Sequence, residues 1–270
     1  MSSSARPDRT ARRLLRLAPL AFLVAASLVA RALSATSPSS LRPELAWEGP
    51  SLVHPLGCGE GGVELSSLLA AAELRALGLA VSVALFGLAV GAPLGAAAAM
   101  ARGRPERFLG RVCDMLQAFP SFLLALTVLS AVRAPTRVHL ACVFALTSWA
   151  PFARLALAET RVLRGMGFVE AARALGLGTT GILVRHVLPN LVGTLAVQLG
   201  ASAAAVAVSE ASLTFVGFGV SDGVSLGSVL DQGVSAMLRA PHVLVVGALS
   251  VFLTSGALLL AGTSLDGGRR

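Results

Sequence analysis

Few residues in this chain are equipped for chemistry, and their spacing excludes most of it. Glu210 is a carboxylate set in a long apolar run, where an ionisable group is costly and faces a cavity or a partner. It could be a pathway residue handling a proton or substrate, or make a structural hydrogen bond near the outer end of its span; the second reading is preferred. His54, His139 and His242 are far apart, and nothing in their spacing places them together as metal ligands, so no metal site is expected. His186 lies in a polar insert, where packing or capping accounts for it better than a pH switch. Cys113 and Cys142 fall in apolar runs as small hydrophobes. Cys58 has no second cysteine on its side of the chain, so no internal disulfide is expected. No C-x-x-C, H-E-x-x-H or G-x-x-x-x-G-K-[ST] occurs, so neither a metal-hydrolase centre nor a nucleotide loop is present, and no catalytic residue is assigned.

What must position these residues is a membrane. Of 270 residues, 55% are hydrophobic and 13% charged, with a mean hydropathy of +0.78. Soluble domains carry about 25% charged residues, and apolar runs of about 20 residues recur along the chain. The expected fold is all-α and polytopic, with about six transmembrane helices at 17–33, 74–100, 109–132, 138–158, 191–216 and 241–262. The second is longer than a bilayer needs, and Pro93 inside it is tolerable where neighbouring helices satisfy the freed carbonyl.

The net charge of +8 is carried entirely by arginine, lysine being absent. The arginines cap apolar runs instead of forming a basic face, so nucleic acid is not an expected partner. Arg6, Arg9, Arg12, Arg13 and Arg16, then Arg102, Arg104, Arg107 and Arg111, then Arg161, Arg164, Arg173 and Arg185, then Arg269 and Arg270 fall on one side of the six spans. The other side has Arg42, Arg133, Arg137 and Arg239. The positive-inside rule makes both termini cytoplasmic. Arg31 and Arg75 are expected to snorkel outward, and Arg154 and Glu159 to anchor at an interface. Asp114 is read as an acidic residue opening the third helix.

The chain divides into a cytoplasmic tail 1–16, an anchor helix 17–33, an external loop 34–73, a transmembrane domain 74–262 and a cytoplasmic tail 263–270. The anchor also has the look of a secretory signal, small residues following its apolar run; an uncleaved anchor is preferred. The Ser-, Pro-, Gly- and Glu-rich segment 34–72 is too short and polar for a domain of its own. The external loop 217–240 has room for a short surface helix.

The most distinctive insert is Gly167–Asn190, GFVEAARALGLGTTGILVRHVLPN. Its pattern predicts a short helix over 163–175, with Glu170 and Arg173 spaced to pair on one face. Gly176 and Gly178 then turn the chain, Thr179 or Thr180 caps a second short helix, and Pro189 closes it. A plain connector and a lever for another protein both fit these residues.

EAARALG followed by RHVLPN resembles the cytoplasmic signature of ABC importer permeases. Glu170, Ala171, Ala172, Gly176, Leu188 and Pro189 stand at that signature's spacing. The ending Arg185–Asn190 is similar to the branch importing dipeptides, oligopeptides and nickel. His54-Pro55-Leu56-Gly57, Asp114 with Phe119-Pro120-Ser121, Phe152-Ala153-Arg154 and Glu210 through Gly219 resemble further segments of that branch. The resemblance covers roughly His54 to Gly262.

It implies a translocation subunit whose insert is a coupling helix seated in a cytoplasmic ATPase. Glu170, Ala171, Ala172, Arg173, Gly176, Leu188 and Pro189 would be the ATPase-coupling residues, with Glu170 anchoring and Gly176 permitting the turn. The implied partners are a second homologous permease subunit, two cytoplasmic ABC ATPase subunits, an external solute-binding protein and membrane lipid. ATP and Mg would be bound by the ATPase, and this chain would hold no cofactor.

The chain departs from the branch after Gly57, where Cys58-Gly59-Glu60-Gly61-Gly62-Val63-Glu64 replaces the usual Thr-Asp, two residues, Gly-Arg-Asp. The loop after Gly219 is also simplified. Both departures are external, where a binding protein would dock. An ion-coupled transporter working alone predicts several intramembrane charges and inverted repeats, whereas essentially one central carboxylate is expected here. A membrane-embedded enzyme needs a catalytic set that is absent, and a homologue that has lost transport is a weaker possibility.

Overall fold

A computed structural model describes residues 9–33, 41–219 and 223–264, and among them every regular element is helical, the one β-bridge joining Cys58 to Glu64. Parts of the expected tails, with Arg6, Arg269 and Arg270, lie outside the described residues, as do 34–40 and 220–222 of the loops expected outside. The helices are α1 (Arg9–Leu33), α2 (Leu65–Ala101), α3 (Arg104–Ala118), α4 (Ser121–Ser130), α5 (Arg137–Leu163), α6 (Gly167–Ala174), α7 (Thr179–Ile182), α8 (Leu188–Leu213), α9 (Leu226–Ser235) and α10 (Pro241–Thr263).

Five helical stretches are long and apolar enough to cross a membrane, and the bent pair α3–α4, counted as one span, makes a sixth. That pair corrects the expected straight third span: its halves meet at 67°. The cause is Pro120, which forces Phe119 into an extended conformation (φ −88°, ψ 124°) and ends α3 there. The pair runs along α5 from its end towards its start. Its first turn, at Glu106, meets Arg161 and Arg164 at the end of α5, while Ala125 and Leu129 on α4 share a cluster with Leu140 near the start of α5. Asp114 therefore lies in the body of α3, and does not open it as expected; its partner is Arg154 on α5 at 3.2 Å.

Other boundaries move outward from the expected ones. α2 begins at Leu65, nine residues before the expected Leu74, and runs 37 residues, about 55 Å at 1.5 Å per residue. This exceeds a hydrocarbon core of about 30 Å. Glu73 consequently lies inside the helix, buried, where it accepts a 2.5 Å hydrogen bond from Ser27 on α1. Glu210 is thus not the single buried carboxylate of the spans. α7 and α8 are joined without a stop by a π turn, Leu183–Val187, so Pro189 does not close the second hairpin helix but sits in the first turn of α8. The side-chain amide of Asn190 donates to the carbonyl of His186 at 2.6 Å.

α2 is the central helix, packed along α5 on one side and α8 on another; α10 lies on α8, and α1 lies on α10 and α2. Gly87, Gly91 and Gly95 form a stripe facing α5, and a Cβ on Gly95 would stand 2.1 Å from the carbonyl oxygen of Ala153. Small residues at such contacts let backbones approach in lipid, where apolar burial between helices gains little. Arg16 donates to the carbonyl of Thr263 at 2.6 Å, which places the start of α1 and the end of α10 on one face.

The opposite face is covered by a layer in which 41–64 pack with α9 and the heads of α2 and α10. The short helix expected within 217–240 is α9, capped by Ser225, whose hydroxyl accepts from the backbone N–H of Ser228 at 3.2 Å. Leu226 and Val229 on its inner side are fully buried, so it belongs to the layer more than to the surface.

Candidate functional site

The insert folds as a hairpin standing on a fixed base. α6 ends in a two-bond cap: the N–H of Leu177 reaches the carbonyl of Ala172 at 3.1 Å, and that of Gly176 reaches Arg173 at 3.0 Å. This is the Schellman arrangement, which needs a left-handed residue at its turn, and Gly176 supplies it with φ +85°. Val169 and Ala172 point inward to a cluster holding Ile182, Val187, Leu191, Phe152 and Ala92. The hairpin is therefore packed on α2, α5 and α8 together.

Its outer crest is open. Glu170, Ala171, Arg173 and Gly176 are exposed, and Leu175 is 81% exposed. Ala172, expected on the docking face with its neighbours, instead belongs to the anchoring face. Leu188 is half-buried and Pro189 exposed, both beyond the π turn. No ion pair joins Glu170 to Arg173 among the described residues, which leaves both for another partner. The second helix begins at Thr179 with Gly178 in the capping position, so neither threonine caps it as expected. His186 packs against Phe168 with ring centroids 6.4 Å apart, in line with the packing role read for it.

A charged cluster not foreseen in the sequence secures the hairpin's base. Glu106 of α3 accepts from Arg161, and from Arg164 at 3.1 Å, on the last turn and cap of α5; Arg164 also donates to the carbonyl of Ala99 at the end of α2. In the sequence Arg161 and Arg164 mark topology alone, since pairing with Glu106 across 55 residues leaves no local signal.

Beside the α3–α4 break lies a cavity of about 250 Å³, between α5 and α8. Gln117, Ser121, Thr147, Ser148, Ser202 and Ser209 line it with Phe119, Phe144 and Val206 among the apolar walls. Its signal was available, as hydroxyls recurring in apolar spans opposite a proline. Glu210 lies one residue beyond Ser209, buried, with Oε2 lacking a hydrogen-bond partner. The charges of Arg137 and Arg75 act on it, and Ser225 stands beside it. The guanidinium of Arg75 lies against Gly223, in the loop expected on the outer side.

The layer formed by 41–64 brings together side chains that the sequence spacing left apart. Ligand atoms of Glu48, His54 and Cys58 lie within 4.8 Å of one another, and His242 Nε2 would meet a Cβ on Gly57 at 2.8 Å. His139 stays apart, its Nδ1 2.7 Å from the hydroxyl of Thr136. Burial raises the Cys58 thiol above its ordinary range, and the carboxylates of Glu48 and Glu64 push the same way.

Residues 91–265, which take in α3–α10 and the hairpin, match the family model described as a binding-protein-dependent transport system inner membrane component. The chain belongs to that family. Relatives agree: it is 33% identical over 219 residues to the glutathione transport system permease protein GsiD of Pectobacterium atrosepticum, covering 81% of this chain and 72% of the relative. Against GsiD of Escherichia coli O6:K15:H31 and of Shigella boydii serotype 4 the identity is 35% over 218 residues, covering 80% and 72%. The protein is a multi-pass inner-membrane permease subunit of an ABC importer, of the branch related to peptide and nickel transport. Permeases of this family act with an ATPase and a binding protein.

Proposed function

We propose that this permease forms one half of a path for short peptides of the glutathione kind, and that the α6–α7 hairpin is the element its ATPase moves. The observation that carries the reading is the division of the hairpin into two faces. Val169 and Ala172 fix it to α2, α5 and α8, while Glu170, Ala171, Arg173, Leu175 and Gly176 stand free in water. An exposed leucine beside uncommitted charges on a rigid base suits a protein cleft better than solvent. Force applied to that crest would reach three spans at once, and through Arg161, Arg164 and Glu106 the broken α3–α4 helix.

The arginine bias supports a cytoplasmic hairpin and cytoplasmic termini. The cavity at the α3–α4 break supports a polar solute, since hydroxyls and Gln117 can satisfy amide and carboxylate groups in transit. A second homologous permease would supply the facing wall, and two ABC ATPase subunits would bind ATP and Mg, with none held by this chain. The layer formed by 41–64 and α9 would receive the external solute-binding protein. On this reading the chain performs no enzymatic step; it couples hydrolysis elsewhere to a change of access.

Glu170→Lys tests the coupling role. In proteoliposomes carrying the whole complex, insertion and assembly are expected to persist while uptake separates from ATP hydrolysis. Unchanged uptake would sink the role given to the crest.

A further inference from the structure

We propose that Glu48, His54 and Cys58 form a binding site for a thiophilic divalent cation of the zinc class, on the external face of the permease. One carboxylate oxygen, one imidazole nitrogen and one sulfur within 4.8 Å of each other are the ligand types and the spread that a tetrahedral site draws together. Mixed N, S and O donation favours such a cation over calcium or magnesium, which take oxygen ligands.

The cluster is built by the fold, not gathered by chance on a surface. The N–H of Cys58 donates to the carbonyl of Glu48 at 2.9 Å, and Cys58 is bridged to Glu64 across the loop. His54 is held in a turn by its own N–H to the hydroxyl of Ser51 at 3.0 Å, and by its carbonyl accepting from Gly57 at 2.9 Å. Gly57 adopts φ +79°, and a Cβ there would lie 2.6 Å from the Glu48 carbonyl oxygen, so the strands of the loop close only because that residue is glycine.

Two polar atoms are left unanswered by this closure. His54 Nδ1 is buried without a hydrogen-bond partner, and so is His242 Nε2 on the first turn of α10, beside the same glycine. Buried ring nitrogens are ordinarily satisfied, and a cation at His54 would remove that debt. Cys58 is completely buried, so its sulfur is presented to the loop interior and not to solvent. The surrounding charge is negative, with Glu44, Glu48, Glu60 and Glu64 against Arg42 between residues 41 and 64. Cys58 is also where the chain departs from the pattern that its His54–Gly57 stretch resembles. Three protein ligands leave one position open, with His242 just outside the set.

Cobalt(II) is the probe, because a thiolate ligand and tetrahedral geometry each give it a distinct absorption. The full-length chain, purified in detergent with a tag free of histidine, is expected to bind one equivalent with a sulfur-to-cobalt charge-transfer band, and zinc should displace it. Cys58→Ser should abolish the band, while Cys113→Ser and Cys142→Ser should leave it intact. His54→Gln and Glu48→Gln should weaken binding by about tenfold or more, at least the scale of outer-shell losses. Glu48 is exposed, so its variant tests the site without disturbing the core. Wild-type protein that takes up no cobalt, cobalt bound without the thiolate band, or a band surviving Cys58→Ser would each overturn the assignment.

Discussion

Glu106 stands between two guanidiniums of one helix end, accepting from Arg161 on one oxygen and from Arg164 on the other at 3.1 Å. Its side chain is 10% exposed, and Arg164 also reaches the carbonyl of Ala99, so a single carboxylate ties α3 to α5 and thereby to α2. The α6–α7 hairpin begins only three residues after Arg164. A pull on α6 cannot move the end of α5 without loading this cluster.

Removing the carboxylate leaves two cations facing each other. Glu106→Ala is expected to cost about 1–3 kcal/mol of stability, read as a lower midpoint of thermal unfolding in detergent. Uptake should fall further than the stability loss accounts for, because the link from hairpin to broken helix is cut. Glu106→Gln, which keeps the side-chain shape and one of the two acceptors, should retain part of both. Equal uptake by wild type and Glu106→Ala at matched protein levels would remove the cluster from the coupling route.

Contact between α2 and α5 predicts a sharp contrast between two glycines of one helix. At Gly95 an added methyl would stand 2.1 Å from the Ala153 carbonyl oxygen and 2.9 Å from its Cα, so backbone must move. Gly95→Ala is expected to destabilise by about 1–3 kcal/mol, the range for overpacking. At Gly78 nothing lies within 4 Å. Gly78→Ala should be neutral, or stabilising by up to about 1 kcal/mol through helix propensity. Thermal midpoints of the two purified variants decide it, and a similar response from both would mean that α2 and α5 are not in close register.

Much of the architecture was legible because membrane spans and charge bias are local signals. The hairpin's turn at Gly176 followed from one glycine after an alanine-rich run. Pro120 was equally visible, yet the apolar character on both sides of it outweighed the break. Glu73 was missed for the same reason in reverse: a single acid just before Leu74 read as the end of the helix, whereas Ser27 on α1 satisfies it inside. Ala172 looked like its neighbours in the motif, and only the helical phase shared with Val169 places it inward. The Glu106 cluster, the hydroxyl-lined cavity and the meeting of His54 with Cys58 and Glu48 depend on tertiary closure, which residue spacing does not report.

The turn of the hairpin yields a test by shape alone. Gly176 sits at φ +85° with nothing within 4 Å of an added Cβ, so a substitution meets strain and no clash. A left-handed conformation costs an ordinary L-residue about 1–2 kcal/mol, and β-branching adds to it. Gly176→Val should insert normally but dissociate ATP hydrolysis from uptake, whereas Gly176→Asn, tolerant of this region, should keep most transport. Full activity in the valine variant would show that the turn geometry is dispensable.

Whether the cavity carries solute can be asked at Ser202, on α8 in its wall, where the hydroxyl accepts from Gln198 at 3.0 Å. Ser202→Phe places an aromatic ring into a space of about 250 Å³. If solute passes there, uptake should drop severely while ATP hydrolysis and assembly persist, since the hairpin and the Glu106 cluster lie elsewhere. Ser202→Ala removes the hydroxyl without filling the space, and should cost little if bulk is what matters. Measuring both variants separates the alternatives: equal uptake by wild type and the phenylalanine variant moves the path away from the α3–α4 break. A severe loss in the alanine variant alone would make the hydroxyl, not the opening, the feature that the solute requires.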